Sequence, residues 1–398
     1  MTTAPPLPRA ARLATWMFFA LNGFAVGMWV VHIPDVERAT GISHSTLGAL
    51  LLVLGGAAFA GMQVAGPLVD RIGHRRLVPA AGVVLGLGLC GPGYADSWWT
   101  LGLTLLLFGF GNGAIDVAMN AQAVVVERAY PRPIMAAFHA MWSIGGALAA
   151  VVGATTLGAG VPAGVTLTAT GLLCVLLSLG SARFLSEPSA VPVSPEPAPT
   201  APARRASPGR VVWLLGALAL ALMLSEGVAN DWAALHMEKV LGTSSSTAAL
   251  AYGAFAVAMT TGRFLTDRVV AWAGPAAIVR YGAALAAVGL TTAAASPWVP
   301  LALVGWALFG LGLSGGVPQL FTAAGNLDTR ASGALMARVV GLGYVGLLAG
   351  PALIGGLTRW MPLNVTFAVP IVLCVLAALF AGVLTPKPEP AQPVSTSR

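Results

Sequence analysis

The sequence predicts a multi-pass α-helical membrane protein of twelve spans, and three observations carry that reading. Of the 398 residues 57% are hydrophobic and only 9% charged. A soluble chain carries about 25% charged residues, so a water-facing surface could not be covered here. Mean hydropathy is +0.82. The apolar residues also come in long unbroken runs rather than the alternation of outer-membrane barrel strands. A spanning helix takes about 20 such residues.

Read from breaker to breaker, the runs cover roughly 12–33, 45–69, 77–95, 99–126, 134–157, 162–184, 210–236, 246–269, 276–295, 299–324, 333–357 and 361–384. The first begins after Arg9 and Arg12, is too long for a signal core and has no small-x-small cleavage site, so it reads as a retained span. Gly and charged residues part spans one to three, at ERATGIS (37–43) and DRIGHRR (70–76). Pro-containing turns close spans four and five, at ERAYPRP (127–133) and GAGVP (158–162). Residues 185–209 are rich in Pro, Ala and Ser without apolar periodicity and read as a flexible cytoplasmic linker. They divide the chain into an N-terminal bundle, 1–184, and a C-terminal bundle, 210–398, of six helices each. In the second bundle the breakers are EKVLGTSSS (238–246), AWAGP (271–275), SPW (296–298), GNLDTRASG (325–333) and TRWMPL (358–363).

Of 21 Lys and Arg, 18 fall on one set of alternate loops and 3, Arg38, Lys239 and Arg359, on the other. The positive-inside rule then puts both termini in the cytoplasm, as expected for a bacterial inner-membrane protein. Trp98, Trp99, Trp298 and Trp360 fall near the outer boundary and Trp16 and Trp213 near the inner one. The net charge of +7 is therefore topological. The basic loops lack interleaved aromatics, and nucleic-acid binding has no footprint.

The halves repeat. An offset of 201 residues pairs Glu37, Arg38, Gly41, Ser43, Ser45 and Thr46 with Glu238, Lys239, Gly242, Ser244, Ser246 and Thr247. It also pairs Phe108, Gly109, Gly111, Glu127, Met135 and Gly145 with Phe309, Gly310, Gly312, Asp328, Met336 and Gly346. Two parallel six-helix repeats are a transporter architecture whose substrate site lies near the midplane between them.

Between spans two and three stands GPLVDRIGHRR, with Gly66, Asp70, Arg71, Gly73, Arg75 and Arg76. This resembles the signature of the major facilitator superfamily, with His74 at one of the usual basic positions. The second half holds a looser copy, GRFLTDR, with Asp267 and Arg268 and a Gly-to-Asp spacing one longer. The resemblance implies twelve helices in two pseudo-symmetric bundles, and that Asp70 and Asp267 help hold the cytoplasmic side shut. A carboxylate at a helix end can cap a neighbouring helix and let go when the halves rock. GFGNGAIDVAMNAQAVVVER, MAAFHAMWSIGG, LSEGVANDWAA and GYVGLLAGPALIGG look like a bacterial branch near the fucose-permease type, many of whose members lack an assigned substrate. The Arg-x-x-Gln-Gly signature of drug/proton antiporters is missing from span four.

Span four puts Asn112, Asp116 and Asn120 on one stripe, with Asp116 about halfway through. An ionised Asp at mid-bilayer costs about 2.5–3.5 kcal/mol, so it should face a polar chamber or hold a proton; an interhelical hydrogen bond is the other use of such a group. Span seven carries Glu226, deep, with Asn230 on the same face and Asp231 toward the mouth. Asp116, Glu226 and His139 are thus the candidates for carrying a proton. Asn22, Asn112, Asn120, Trp142, Asn230, Asp231 and Gln319 are the candidates for lining a solute chamber. Each polar residue among them could instead bridge helices, and Trp142 could simply pack.

The expected function is secondary transport of a small polar, sugar-like solute coupled to protons, by a monomer in a lipid bilayer. Proton-driven export of hydrophobic compounds is the rival, and a non-transporting sensor the rival of another class. Catalysis is not expected, for no nucleophile–base or metal constellation appears, nor any Walker motif. Gly310, Gly312 and Gly315 spell GxGxxG but follow no strand. Cys90, Cys174 and Cys374 read as packing residues, and His32, His44 and His236, near the outer face, as exposed.

Overall fold

The computed structural model describes residues 9–185, 208–328 and 331–385. Most of the linker read at 185–209 lies outside them. The first bundle comprises α1 (Arg9–Thr40), α2 (His44–Ile72), α3 (His74–Cys90), α4 (Trp98–Arg128), α5 (Met135–Gly158) and α6 (Ala163–Ser181). The second comprises α7 (Pro208–Leu241), α8 (Ser245–Ala273), α9 (Pro275–Ala295), α10 (Val299–Leu313), α11 (Gly316–Asn326), α12 (Ser332–Leu357), α13 (Leu363–Thr366) and α14 (Ala368–Phe380). They make twelve helical stretches long and apolar enough to cross a membrane, with α10 and α11 in one and α13 and α14 in another.

The 201-residue offset holds in three dimensions. It carries α2 onto α8 end for end. Ser43 and Ser244 cap those helices through Thr46 N (3.2 Å) and Thr247 N (3.4 Å). Gly73 (φ 84°) and Gly274 (φ 81°) each end one helix and start the next, a backbone that a side chain would strain.

Within each bundle, helices cross on glycine. A Cβ on Gly113 would collide with the Ala58 carbonyl of α2, and one on Gly346 with the Leu220 carbonyl of α7. Such close crossings replace the hydrophobic drive that lipid cannot supply.

The tenth span is interrupted at Ser314–Gly315, and the cause is Pro318 at the start of α11. Proline offers no N–H to the Ser314 carbonyl, and its ring presses on it. The repeat partner of Pro318 is Val117, and α4 runs straight through.

Two expectations are corrected. His32 and His236 are fully buried, not exposed. His236 lies within α7 against Trp306 and Phe367, with ring centroids 5.9 and 5.4 Å away. Arg263, counted among the basic loop residues, is buried in α8, ten residues short of its end at Ala273. At about 1.5 Å per residue that is about 15 Å deep.

The crossing at Gly113 is testable. Gly113→Val should lower the melting temperature of the detergent-purified protein by an amount equivalent to at least about 1–3 kcal/mol. Gly48→Ala, where a Cβ meets nothing within 4 Å, should leave it unchanged. Equal stability of both variants would show that the close approach does not hold the bundle.

Candidate functional site

The two halves are joined at the end that carries the basic loops. A helix amino terminus leaves backbone N–H groups without partners, and buried ones must find acceptors. Asp70, at the end of α2, supplies them for α12: Oδ1 accepts from Gly333 N at 2.8 Å and Oδ2 from Ala334 N at 2.9 Å. Asp267 of α8 does the same for α5, accepting from Ala136 N at 3.0 Å and Ala137 N at 2.9 Å. Each carboxylate thus spans the seam and also meets the positive end of a helix dipole.

Around these caps, Glu127 accepts from Ile134 N and Met135 N at 2.9 Å and from the Thr322 hydroxyl at 2.8 Å. Arg128 donates to Asn326 Oδ1 at 2.6 Å and to the Gly325 carbonyl at 2.5 Å. Gln63 Nε2 donates to the Ala337 carbonyl at 3.2 Å. Gly66 lets α2 lie against Gly333 and Ala337 of α12. The signature arginines do not join the seam: Arg71, Arg76 and Arg268 are exposed, and Arg75 reaches only the Arg183 carbonyl at 3.4 Å.

Deeper in the membrane the first half builds a polar chain. Trp142 Nε1 of α5 donates to Asn22 Oδ1 of α1 at 2.8 Å, and Asn22 Nδ2 donates to Asn112 Oδ1 of α4 at 2.8 Å. One turn on from Asn112, Asp116 Oδ1 accepts from Asn120 Nδ2 at 3.2 Å, and Asn120 also reaches the Asp116 carbonyl at 2.8 Å. Asp116 Oδ2 is buried without a hydrogen-bond partner, as is Asn120 Oδ1. The neighbour of Asp116 across the seam is Tyr344 of α12, which also feels the charge of Glu226.

The second half answers with an ion pair. Arg263 Nη2 lies 3.5 Å from Glu226 Oε1, and Arg263 Nη1 donates across the seam to Ser143 Oγ of α5 at 2.6 Å. His139, one turn before Ser143, packs between Phe19 and Phe321 at 5.3 and 5.8 Å. Its Nε2 and Gln319 Nε2 are buried without partners. Asn230 and Asp231 are exposed on the part of α7 away from the sealed end.

Of the residues expected to line a chamber, Trp142, Asn22 and Asn112 are joined by hydrogen bonds, and Asn120 bonds Asp116, one of the expected proton carriers. Asn230 and Asp231 stay toward the mouth.

Comparison with known proteins agrees with this architecture. The description of the Major Facilitator Superfamily matches residues 15–327 and 232–398. The chain belongs to the Major Facilitator Superfamily. An uncharacterized transporter of this type from Yersinia pestis is 33% identical over 374 residues, 94% of this chain and 96% of its own. Membrane protein MosC of Rhizobium meliloti is 30% identical, covering 94% of this chain and 90% of its own. Among solved structures, the facilitator FucP in the outward conformation superposes with a TM-score of 0.77 at 13% identity, over 94% of this chain and 98% of that one. The human organic anion transporter MFSD10 does so at 0.73 and 16%, over 96% and 100%. These two show the fold of this facilitator and nothing finer.

Sequence reasoning missed Arg263, Ser143, Tyr344 and Gln63 in this facilitator. Arg263 carried a signal, since it stands well inside an apolar run; counting it by alternate loops hid it. Ser143 and Tyr344 carried none beyond being polar in a span.

The seam caps can be checked by labelling. In a background with Cys90, Cys174 and Cys374 replaced by Ala, Val124→Cys places a thiol beside Gly325 under the seam. Asp70→Ala and Asp267→Ala should each speed its reaction with a polar maleimide by about tenfold or more, since losing a charge-assisted cap costs about 1.5–3 kcal/mol. Rates unchanged in both variants would show that the carboxylates do not hold the seam.

Proposed function

We propose that this transporter moves a small polar, sugar-like solute by alternating access, driven by a proton gradient. The carrying observation is a carboxylate set deep in a span of each half, Asp116 with one oxygen buried and unpartnered and Glu226 beside Arg263. Both stand near mid-helix: Asp116 is twelve residues from the end of α4, and Glu226 eighteen from the start of α7. An unpaired carboxylate charge such as that of Asp116 costs about 2.5–3.5 kcal/mol there, and a proton removes it. Proton arrival and departure therefore change the energy of the chamber by an amount that can bias which end is open.

The solute side rests on the Trp142–Asn22–Asn112 chain. An indole face with amides beside it suits a hydroxylated solute better than an apolar drug. FucP is a fucose:proton symporter and XylE a proton:xylose symporter, and both share the fold, which favours the same class here. With 17 of the basic residues still on one set of loops once Arg263 is set aside, the sealed end is the cytoplasmic one in this reading. The conformation is then outward-open, in a bacterial inner membrane, with the chain acting as a monomer.

The test uses proteoliposomes loaded with a pH-sensitive dye. Addition of a transported sugar from a panel including fucose and xylose should acidify the lumen, and Asp116→Asn should abolish acidification while leaving the protein folded. Sugar uptake that proceeds equally with the proton gradient collapsed would overturn the coupling.

A further inference from the structure

We infer that the solute carries a carboxylate and that Arg263 binds it in place of Glu226. The inference rests on the transport reading above and narrows its substrate to hydroxylated monocarboxylates, the class of sugar acids.

Arg263 is the basic side chain set deepest in a span among the described residues, and it is only 7% exposed. A guanidinium has five N–H donors in a fixed fork that suits a carboxylate taken two oxygens at a time. Here that demand is poorly met. Glu226 offers one oxygen at 3.5 Å, well beyond the roughly 2.7–2.9 Å of a charge-assisted hydrogen bond. Ser143 offers a neutral hydroxyl at 2.6 Å, and Nε, buried, has no partner at all. Glu226 keeps a side-chain exposure of 19% against 9% for Arg263, so the pair is reachable from the glutamate side.

Charge accounting then selects the ligand. Glu226 is paired with Arg263 of α8, and Tyr252 of α8, Tyr344 of α12 and Asp231 of α7 are the other titratable groups electrostatically linked to this region. Among the described residues α10, α11, α13 and α14, also packed on α7, bring no Asp, Glu, Lys, Arg or His to it. Facing Arg263 are Glu226 and, from α5, His139 and Ser143. If a proton neutralises Glu226, Arg263 is left buried without a counter-charge, a strongly unfavourable state. A neutral solute leaves it so. A carboxylate replaces the lost charge, so proton and anion arrive together and the pair is electroneutral. Ser143 and Trp142 are consecutive on α5, about 100° apart around the helix, so an anion held by Arg263 and Ser143 would sit one face over from the Trp142–Asn22–Asn112 chain.

The test compares matched pairs on the full-length protein in detergent, by thermal shift and calorimetry: D-glucuronate with D-glucose, D-gluconate with sorbitol, lactate with propane-1,2-diol. At least one acid should stabilise the protein where its neutral twin does not, and should bind more tightly in mild acid than in mild alkali. Arg263→Gln should remove acid binding. Arg263→Lys, which keeps the charge and guards against misfolding, should weaken it at least about tenfold by losing the fork. Glu226→Gln should bind the acid without the preference for mild acid. Equal binding of acid and neutral twin, wild-type acid binding in both Arg263 variants, or no response to any acid would each overturn the inference. A neutral sugar that binds and acidifies the lumen of proteoliposomes would leave the transport reading standing while this one falls; an acid that binds with no lumenal acidification would do the reverse.

Discussion

The architecture depends on two carboxylates that each cap the first turn of a helix in the opposite half. An uncapped helix start buried in protein leaves orphan N–H groups, each costing about 1–3 kcal/mol. Asp70 and Asp267 remove two such orphans apiece, and both caps lie at the ends of spans, where water can take over when the halves part. The contact is therefore strong when made and replaceable when broken, which a rocking interface needs. The two caps are also matched in a way the signature alone hides. The 201-residue offset pairs Asp70 with Ala271, four residues past Asp267, and pairs Ala136 with Ala337, four residues past Gly333. Carboxylate and receiving helix have moved by the same single turn, so the looser second motif is in geometric register with its partner.

Sealing that end sets the electrostatics above it. With the seam closed, Asp116 has a carboxylate oxygen with no hydrogen-bond partner, and Arg263 has an Nε in the same condition. Neither group is tolerable in hydrocarbon, and both lie on faces turned toward the other half, where Tyr344 and Ser143 meet them. An interior polar surface left partly unsatisfied is a poor way to stabilise a bundle and a good way to hold a solute.

Much of the fold was legible because its causes are local. Hydropathy gave the spans, glycine and charged breakers their ends, and the offset the duplication. Asp70 was legible because a carboxylate flanked by glycines at a helix end has few other uses. The candidate site was legible in part: Asn22, Asn112, Asp116 and Trp142 stood out as polar or amphipathic groups deep in apolar runs, and hydrogen bonds join Trp142, Asn22 and Asn112. Arg263 escaped because arginine near a loop is usually topological, and only its burial and its bond to Ser143 say otherwise. His32 and His236 escaped the opposite way. They lie near the outer helix ends, which suggests exposure, yet the aromatic packing that buries His236 comes from Trp306 and Phe367, far along the chain. The break before α11 had its signal in Pro318, masked by a glycine run that also suits close helix crossing.

The duplication preserves backbone and not chemistry, and the exception is instructive. The repeat partners of Asp116, Glu226, Arg263 and Asn22 are Val317, Ala25, Met62 and Met223, all apolar. The first half carries one such charge, Asp116 on α4, and the second carries two, Glu226 on α7 and Arg263 on α8. The offset does, however, pair Ser143 with Tyr344. Ser143 lies eight residues into α5 and Tyr344 twelve into α12, and each meets an ionisable group of the opposite bundle, Arg263 for Ser143 and Asp116 for Tyr344. These are also the two helices whose first turns are capped by Asp267 and Asp70. A helix held by the opposite half at its end and again about two turns (α5) or three turns (α12) further in must let go of both contacts if the halves rotate. Any change of charge at Asp116 or Arg263 therefore acts on the same two rigid helices as the seam caps, which is how the proposed protonation would reach the sealed end.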